Sequence, residues 1–220
     1  MRTLIFSALL LVSAAACANN DSDSSDSSAT SKVNGSISVS DGQTATALDT
    51  VNGSIRVDAN ATITKAGTVN GSITLGANVT AQSLDTVNGA IEVGAKSKIA
   101  GDIDAVNGRV SLAEGVDVGG KLENVNGTIR LSAAHVVGHI KTTSGDIQIG
   151  ADSRVDGGIL VDKPGWFFGN SKTPTVTIGP RAVIGGTLEF RRDVELFVSD
   201  TATVGTITGA TAKRFSGDSP

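Results

Sequence analysis

A chain that repeats itself at a short fixed interval buries its apolar side chains by stacking one copy on the next. This sequence does so. The pentad Val-Asn-Gly-Ser-Ile stands at residues 33–37, 51–55 and 69–73, and looser copies start at Val87, Val106, Val125 and Thr143. Successive starts lie 18, 18, 18, 19, 19 and 18 residues apart. One structural unit per interval is implied, and each unit needs its neighbours to close an apolar interior.

Aligning the repeats sorts the apolar residues into columns. Val39, Val57, Leu75, Val93, Leu112, Leu131 and Ile149 occupy one, with Ile or Val always two residues earlier. Ala45, Ile63, Ala81, Ile99, Val118, Val137 and Val155 form a third column, and Leu48, Ala66, Leu84, Ile103, Leu122, Ile140 and Ile159 a fourth. The pentad valine is the fifth. Between the columns fall three corners: the Asn-Gly pair, a small or turn-forming residue after the first column, and Gly101, Gly119–Gly120, Gly138 and Gly157–Gly158. Gly and Asn tolerate positive φ, so these are positions where the chain can turn.

Three short strands and three corners per interval predict an all-β fold. It is a single-stranded β-solenoid, or β-helix, triangular in section and built of about nine coils of 18–19 residues. Aromatic residues make up 3% of the chain and glycine contributes 27 residues, which suits thin coils with tight corners. Seven coils fill residues 32–161. Ile178 and Val198, with apolar partners at matching offsets, extend the columns to an eighth and ninth coil within 175–209, leaving 210–220 as a C-terminal tail.

Asn34, Asn52, Asn70, Asn88, Asn107 and Asn126 fall in one column. Neutral amides stacked at coil spacing can hydrogen-bond in a row. The alternative is that Asn serves only the turn conformation. Both remain open at this point.

Residues 1–16 combine Arg2, an apolar core and small residues before Cys17, the pattern of a secretory signal peptide. Cys17 is the one cysteine of the chain, so it has no partner for an intramolecular disulfide. Residues 17–31, rich in Ser and Asp, read as a tether. The chain carries a net charge of −4, and Asp21, Asp23 and Asp26 lie in the tether, so the repeat body is close to neutral. Nucleic-acid binding would require a basic face.

Residues 162–174 interrupt the repeat and hold Trp166, Phe167 and Phe168. All four prolines lie at residue 164 or beyond. Aromatics and prolines beside a sheet edge act as a cap, or they form a platform for a glycan or a partner protein. The N-terminal coil has no comparable cover, which leaves an edge open to self-association.

Chemistry-bearing motifs are sparse. His135 and His139 read as surface residues without accompanying acidic or cysteine ligands, so no metal, cofactor or catalytic residue is expected. The near-six-residue spacing is similar to that of hexapeptide acyltransferases. The bulky Ile two before each first-column residue departs from their pattern and weighs against that enzyme.

Runs such as Val118-Gly119-Gly120-Lys121-Leu122 and Val155-Asp156-Gly157-Gly158-Ile159 resemble those of bactofilins, polymer-forming bacterial β-solenoids. The pentads look equally like coils of bacterial adhesin repeats. The bactofilin resemblance implies a right-handed coil and self-assembly through coil ends. Cys17, directly after its apolar segment, resembles the lipobox of bacterial lipoproteins, with ordinary signal cleavage as the alternative. Lipidation there, followed by Ala18, implies an outer-membrane lipoprotein of a Gram-negative bacterium, on its periplasmic or surface face. The expectation is a non-enzymatic, exported, lipid-anchored rod that scaffolds the envelope. The alternative is an adhesin-like module presenting the Trp166 region to glycan or an envelope protein.

Overall fold

The computed structural model describes residues 29–164 and 172–220. Its 27 strands are all β elements paired in parallel, and no helix occurs among the described residues. The chain winds as a β-solenoid, not a barrel: each strand pairs with its equivalents in the coils before and after it. One face is a ten-stranded sheet running from Ile37–Val39 through Ile55–Val57 and Ile73–Leu75 to Ala212–Phe215. The other two faces join in a seventeen-stranded sheet, because the long strands Thr44–Asn52 and Thr62–Asn70 pass round the corner between them. At about 4.8 Å per coil, ten coils make a rod on the order of 40 Å long.

The columns stack in register. Ile37 lies opposite Ile55, Ile55 opposite Ile73, and Val57 opposite Leu75. The interior is a continuous stack of aliphatics, with Ile55, Ile73, Leu84, Ile91, Ile103, Leu122, Ile129 and Ile140 wholly buried. Each such side chain contributes roughly 1.5–3 kcal/mol. A strand flanked on both sides in a parallel stack shares this interior with two neighbours, which is why the unit works only in series.

Two apolar assignments change. The pentad valines Val51, Val69, Val87, Val106 and Val125 point outward and are only partly covered, and Val33 is 57% exposed. The inward place belongs to the preceding residue: Thr50, Thr68, Thr86, Ala105, Asn124, Thr142 and Val161. Each threonine there has a use for the interior. Thr50 Oγ1 donates to Gly35 O at 3.1 Å and Thr68 Oγ1 to Gly53 O at 3.0 Å, which satisfies a corner carbonyl of the coil before. In the sixth coil it is Val136, not Val137, that pairs with Val118 and turns inward, leaving Val137 44% exposed. The corner ahead of it, around Ala133, is one residue shorter.

The coils number about ten, close to the nine expected. The tenth is Ala212–Phe215, which pairs with the strand containing Leu196 and Val198, inside the stretch expected as a tail. At the other end the first strand, Thr30–Asn34, begins two residues inside the expected tether. The stack continues in register past the insertion, since Ile149 lies opposite Ile178 across a separation of 29 residues.

The corners use glycine for two different reasons. After the first face the chain needs a left-handed residue in coil after coil: Gly42, Asn60, Asn78, Lys96, Gly115, Ala133, Asp152 and Arg181 all have φ between 45° and 72°. The glycines of the Asn-Gly corner answer mainly to space. A Cβ on Gly53 would lie 2.2 Å from Gly35 O, and on Gly89 1.9 Å from Gly71 O. The third corner repeats this, with 2.5 Å from a Gly138 Cβ to Gly120 O. Neither Gly89 nor Gly138 has positive φ, so close approach, not turning, sets the residue there.

Candidate functional site

The Asn-Gly corner is the most regular surface feature. Asn52 Nδ2 donates to Asn34 Oδ1 at 3.1 Å, and the bond repeats from Asn70 to Asn52, Asn88 to Asn70, Asn107 to Asn88 and Asn126 to Asn107 at 2.9–3.1 Å. All six side chains form one amide ladder, every donor aimed at the preceding coil. None of them has positive φ, so the turn conformation does not account for Asn here. A serine row runs beside it: Ser36 Oγ accepts from Ser54 N, and Ser54 Oγ from Ser72 N. A second, shorter row joins Asp41, Asn60 and Asn78 in the left-handed corner.

The ladder stops at Ser144. Thr143 N and Ser144 N both bond back to Val125 O, and Gly145 N turns to Thr142 Oγ1. Arg192, two coils further on, covers this point: its guanidinium donates to Thr143 O at 2.9 Å, Ser144 Oγ at 3.3 Å and Lys172 O at 3.2 Å. No sequence signal singled it out, because the contact spans 48 residues and a loop of irregular length.

His135 is not an isolated surface histidine. Its Nδ1 lies 2.8 Å from Asp117 Oδ1 and its Nε2 2.9 Å from Asp156 Oδ2. Both contacts are hydrogen bonds at once only when both ring nitrogens carry hydrogen. The His135 bond holds the Asp156 carboxyl below the usual aspartate range, with Arg154 adding to it. The separations of 18 and 21 residues are one coil each, and that brings the acids to the ring. His139 meets Glu123 at 3.3 Å. Among the described residues no group of three or more His, Cys, Asp or Glu could hold a metal ion.

The third face carries a lopsided charge cluster. Lys121 Nζ contacts Asp104 at 3.2 Å and Glu123 at 3.4 Å. Burial works against the lysine's charge, yet the two carboxylates outweigh it and raise its pKa. Asp104 fares worse: burial pushes its carboxyl up, and Lys121 only partly offsets this with Glu123 and Asp85 nearby. Such a cluster braces neighbouring coils.

Cys17 and the aromatic trio Trp166, Phe167 and Phe168 lie outside the described residues. Of the later phenylalanines, Phe190 is buried opposite Val161, and Phe197 carries the Lys213 ammonium 5.1 Å from its ring centre. Phe190 thus belongs to the interior, and Phe197 lies on the outer face between the inward-facing Leu196 and Val198. The chain matches no known family model, no curated protein and no solved structure.

Proposed function

We propose that the protein is a structural rod that associates end to end through its open coils, exported to the bacterial envelope and held there by lipid on Cys17. One observation carries the association. Among the described residues, both ends of the stack present strands paired on one side only: Thr30–Asn34 pairs with Thr44–Asn52 alone, and Ala212–Phe215 with Glu195–Ser199 alone. Unpaired strand edges are templates for another copy, and a head-to-tail contact that does not close on itself extends into a filament. The exposed Val33 sits on the first of these edges.

The geometry names a blocking substitution. Ile37 N bonds to Ser54 O in the second coil, so the alternation of the strand directs the Ser38 N–H away from the stack. Ser38→Pro removes that donor and leaves the internal bonds intact. Light scattering on residues 29–220 should give a mass that rises with concentration, and Ser38→Pro should hold it at one chain. A strictly monomeric wild-type rod at every concentration would overturn the proposal. Mass spectrometry of the mature N-terminus tests the anchor: Cys17 without acyl groups rejects it. The competing adhesin-like role predicts a monomer whose Trp166 fluorescence shifts on titration with peptidoglycan or polysaccharide fragments.

A further inference from the structure

All six members of the amide ladder precede glycine, and Asn-Gly is the dipeptide most prone to cyclise. The glycine nitrogen, unshielded by a side chain, can attack the asparagine Cγ. The six pairs are not equal in this fold. Gly35, Gly53, Gly71, Gly89 and Gly108 each donate their N–H to the Asn carbonyl of the next coil, at 2.9–3.0 Å. A nitrogen so engaged cannot lose its proton and turn toward its own side chain until the two coils separate locally. Gly127 lacks this protection. The coil that should follow it turns at Thr143 and Ser144 back to Val125 O, and among the described residues the Gly127 N–H meets no acceptor. The Asn126 side chain is likewise held from one side only, by its bond to Asn107.

We infer that Asn126 is a site of spontaneous covalent modification, at which the side-chain amide is lost through a succinimide. The Gly127 nitrogen gives its proton to water or hydroxide and its electron pair forms a bond to Asn126 Cγ. The Cγ–Nδ2 bond breaks and ammonia leaves. Water then opens the five-membered ring at either carbonyl. Attack at Cγ yields aspartate; attack at the backbone carbonyl yields isoaspartate, with the chain rerouted through the side chain. No enzyme, oxidant or metal is needed. The product is a carboxylate at the last rung of the ladder, beside the corner that Arg192 braces.

Asn34 is the internal control. Its side chain is also held from one side only, but Gly35 N is bonded to Asn52 O. If the free nitrogen decides, Asn34 stays with the protected group. If side-chain freedom decides, Asn34 reacts as fast as Asn126.

The test is to age the purified full chain at mildly alkaline pH and map each Asn-Gly pair by peptide mass spectrometry, with fragmentation that separates aspartate from isoaspartate. Asn126 should convert about tenfold faster than Asn34, Asn52, Asn70, Asn88 or Asn107, the ratio that one extra bond of about 1.4 kcal/mol provides. In guanidinium the six rates should converge, because the selectivity belongs to the fold. Equal rates in the native protein, or a maximum at any other pair, would overturn the inference, and so would selectivity for Asn126 that persists in the denatured chain.

Discussion

From Thr30 to Asn126 the coils are tied at one corner by the same amide repeated six times; beyond Thr143 arginines that reach across coils tie them instead. Arg181 grips Asp152 with two bonds of 2.6–2.7 Å, Arg191 reaches Asp162, Arg192 holds Thr143 and Ser144, and Arg214 donates to Ser199 O. The difference follows from the beat. Identical short side chains meet only where coil length is constant, at 18 or 19 residues. Where equivalent residues are 29 apart, as at Ile149 and Ile178, a long side chain with several donors can still span an altered corner. Regularity permits economical contacts, and irregularity demands reach.

The comparison can be broken most forcefully at the glycine stack. Gly89→Ala places a methyl 1.9 Å from Gly71 O and should cost more than about 4 kcal/mol, with coils on both sides disrupted. Gly42→Ala has nothing within 4 Å and carries only the penalty of its φ of 69°, about 1 kcal/mol. Urea midpoints of the two variants should differ accordingly. Equal losses would mean that the close approach of the coils is wrong.

Next comes the amide ladder. Asn88→Asp with Asn107→Asp replaces two self-complementary amides by stacked carboxylates, at a cost of about 2 kcal/mol near neutral pH. That loss should shrink as the pH falls and the new carboxyls take up protons. The paired alanine variant should lose less and show no such pH dependence. A thermal melt of the double aspartate variant that matched wild type would remove the ladder from the account of stability.

Arg192→Ala sharpens the other half. It should lower stability by about 1 kcal/mol and raise hydrogen exchange at Ser144 and Gly145, while exchange at Gly53 and Gly71 stays unchanged. Acid separates the halves a second way. The Asp152 and Asp156 carboxyls lie below their ordinary value near 3.8, the first through Arg181 and the second through His135. Lowered folded-state values stabilise above that ordinary value and the benefit disappears as pH falls through them. Exchange protection in the later coils should therefore fail first on acidification. The smallest effect expected is a gain: Ala133→Gly relieves a φ of 45° and should add about 0.5 kcal/mol.

Much of this architecture was legible because a column of Ile, Val and Leu at constant spacing has few other meanings. The pentad resisted. Thr50-Val51, Thr68-Val69 and Thr86-Val87 set two β-branched residues side by side, and either could face inward; the greasier one was expected inside. The interior took threonine, because a corner carbonyl there needs a donor that valine lacks. The left-handed corner was also hidden, since Lys96, Ala133 and Arg181 do not advertise positive φ. The acids at His135 were missed for another reason. Spacings of 18 and 21 mean contact only once a coil is known to be the unit of distance.

One feature of the ladder reaches beyond its own corner. Backbone amides in a sheet alternate and largely cancel, but the side-chain amides of Asn52 through Asn126 all point the same way along the rod. Each carries a dipole comparable to a peptide unit, about 3.5 D, so the row adds up as it does in a helix. The row therefore contributes a dipole along the rod with its positive end toward Asn34. Neighbouring rods laid side by side would favour antiparallel order, whereas rods meeting tip to tip would favour a common direction.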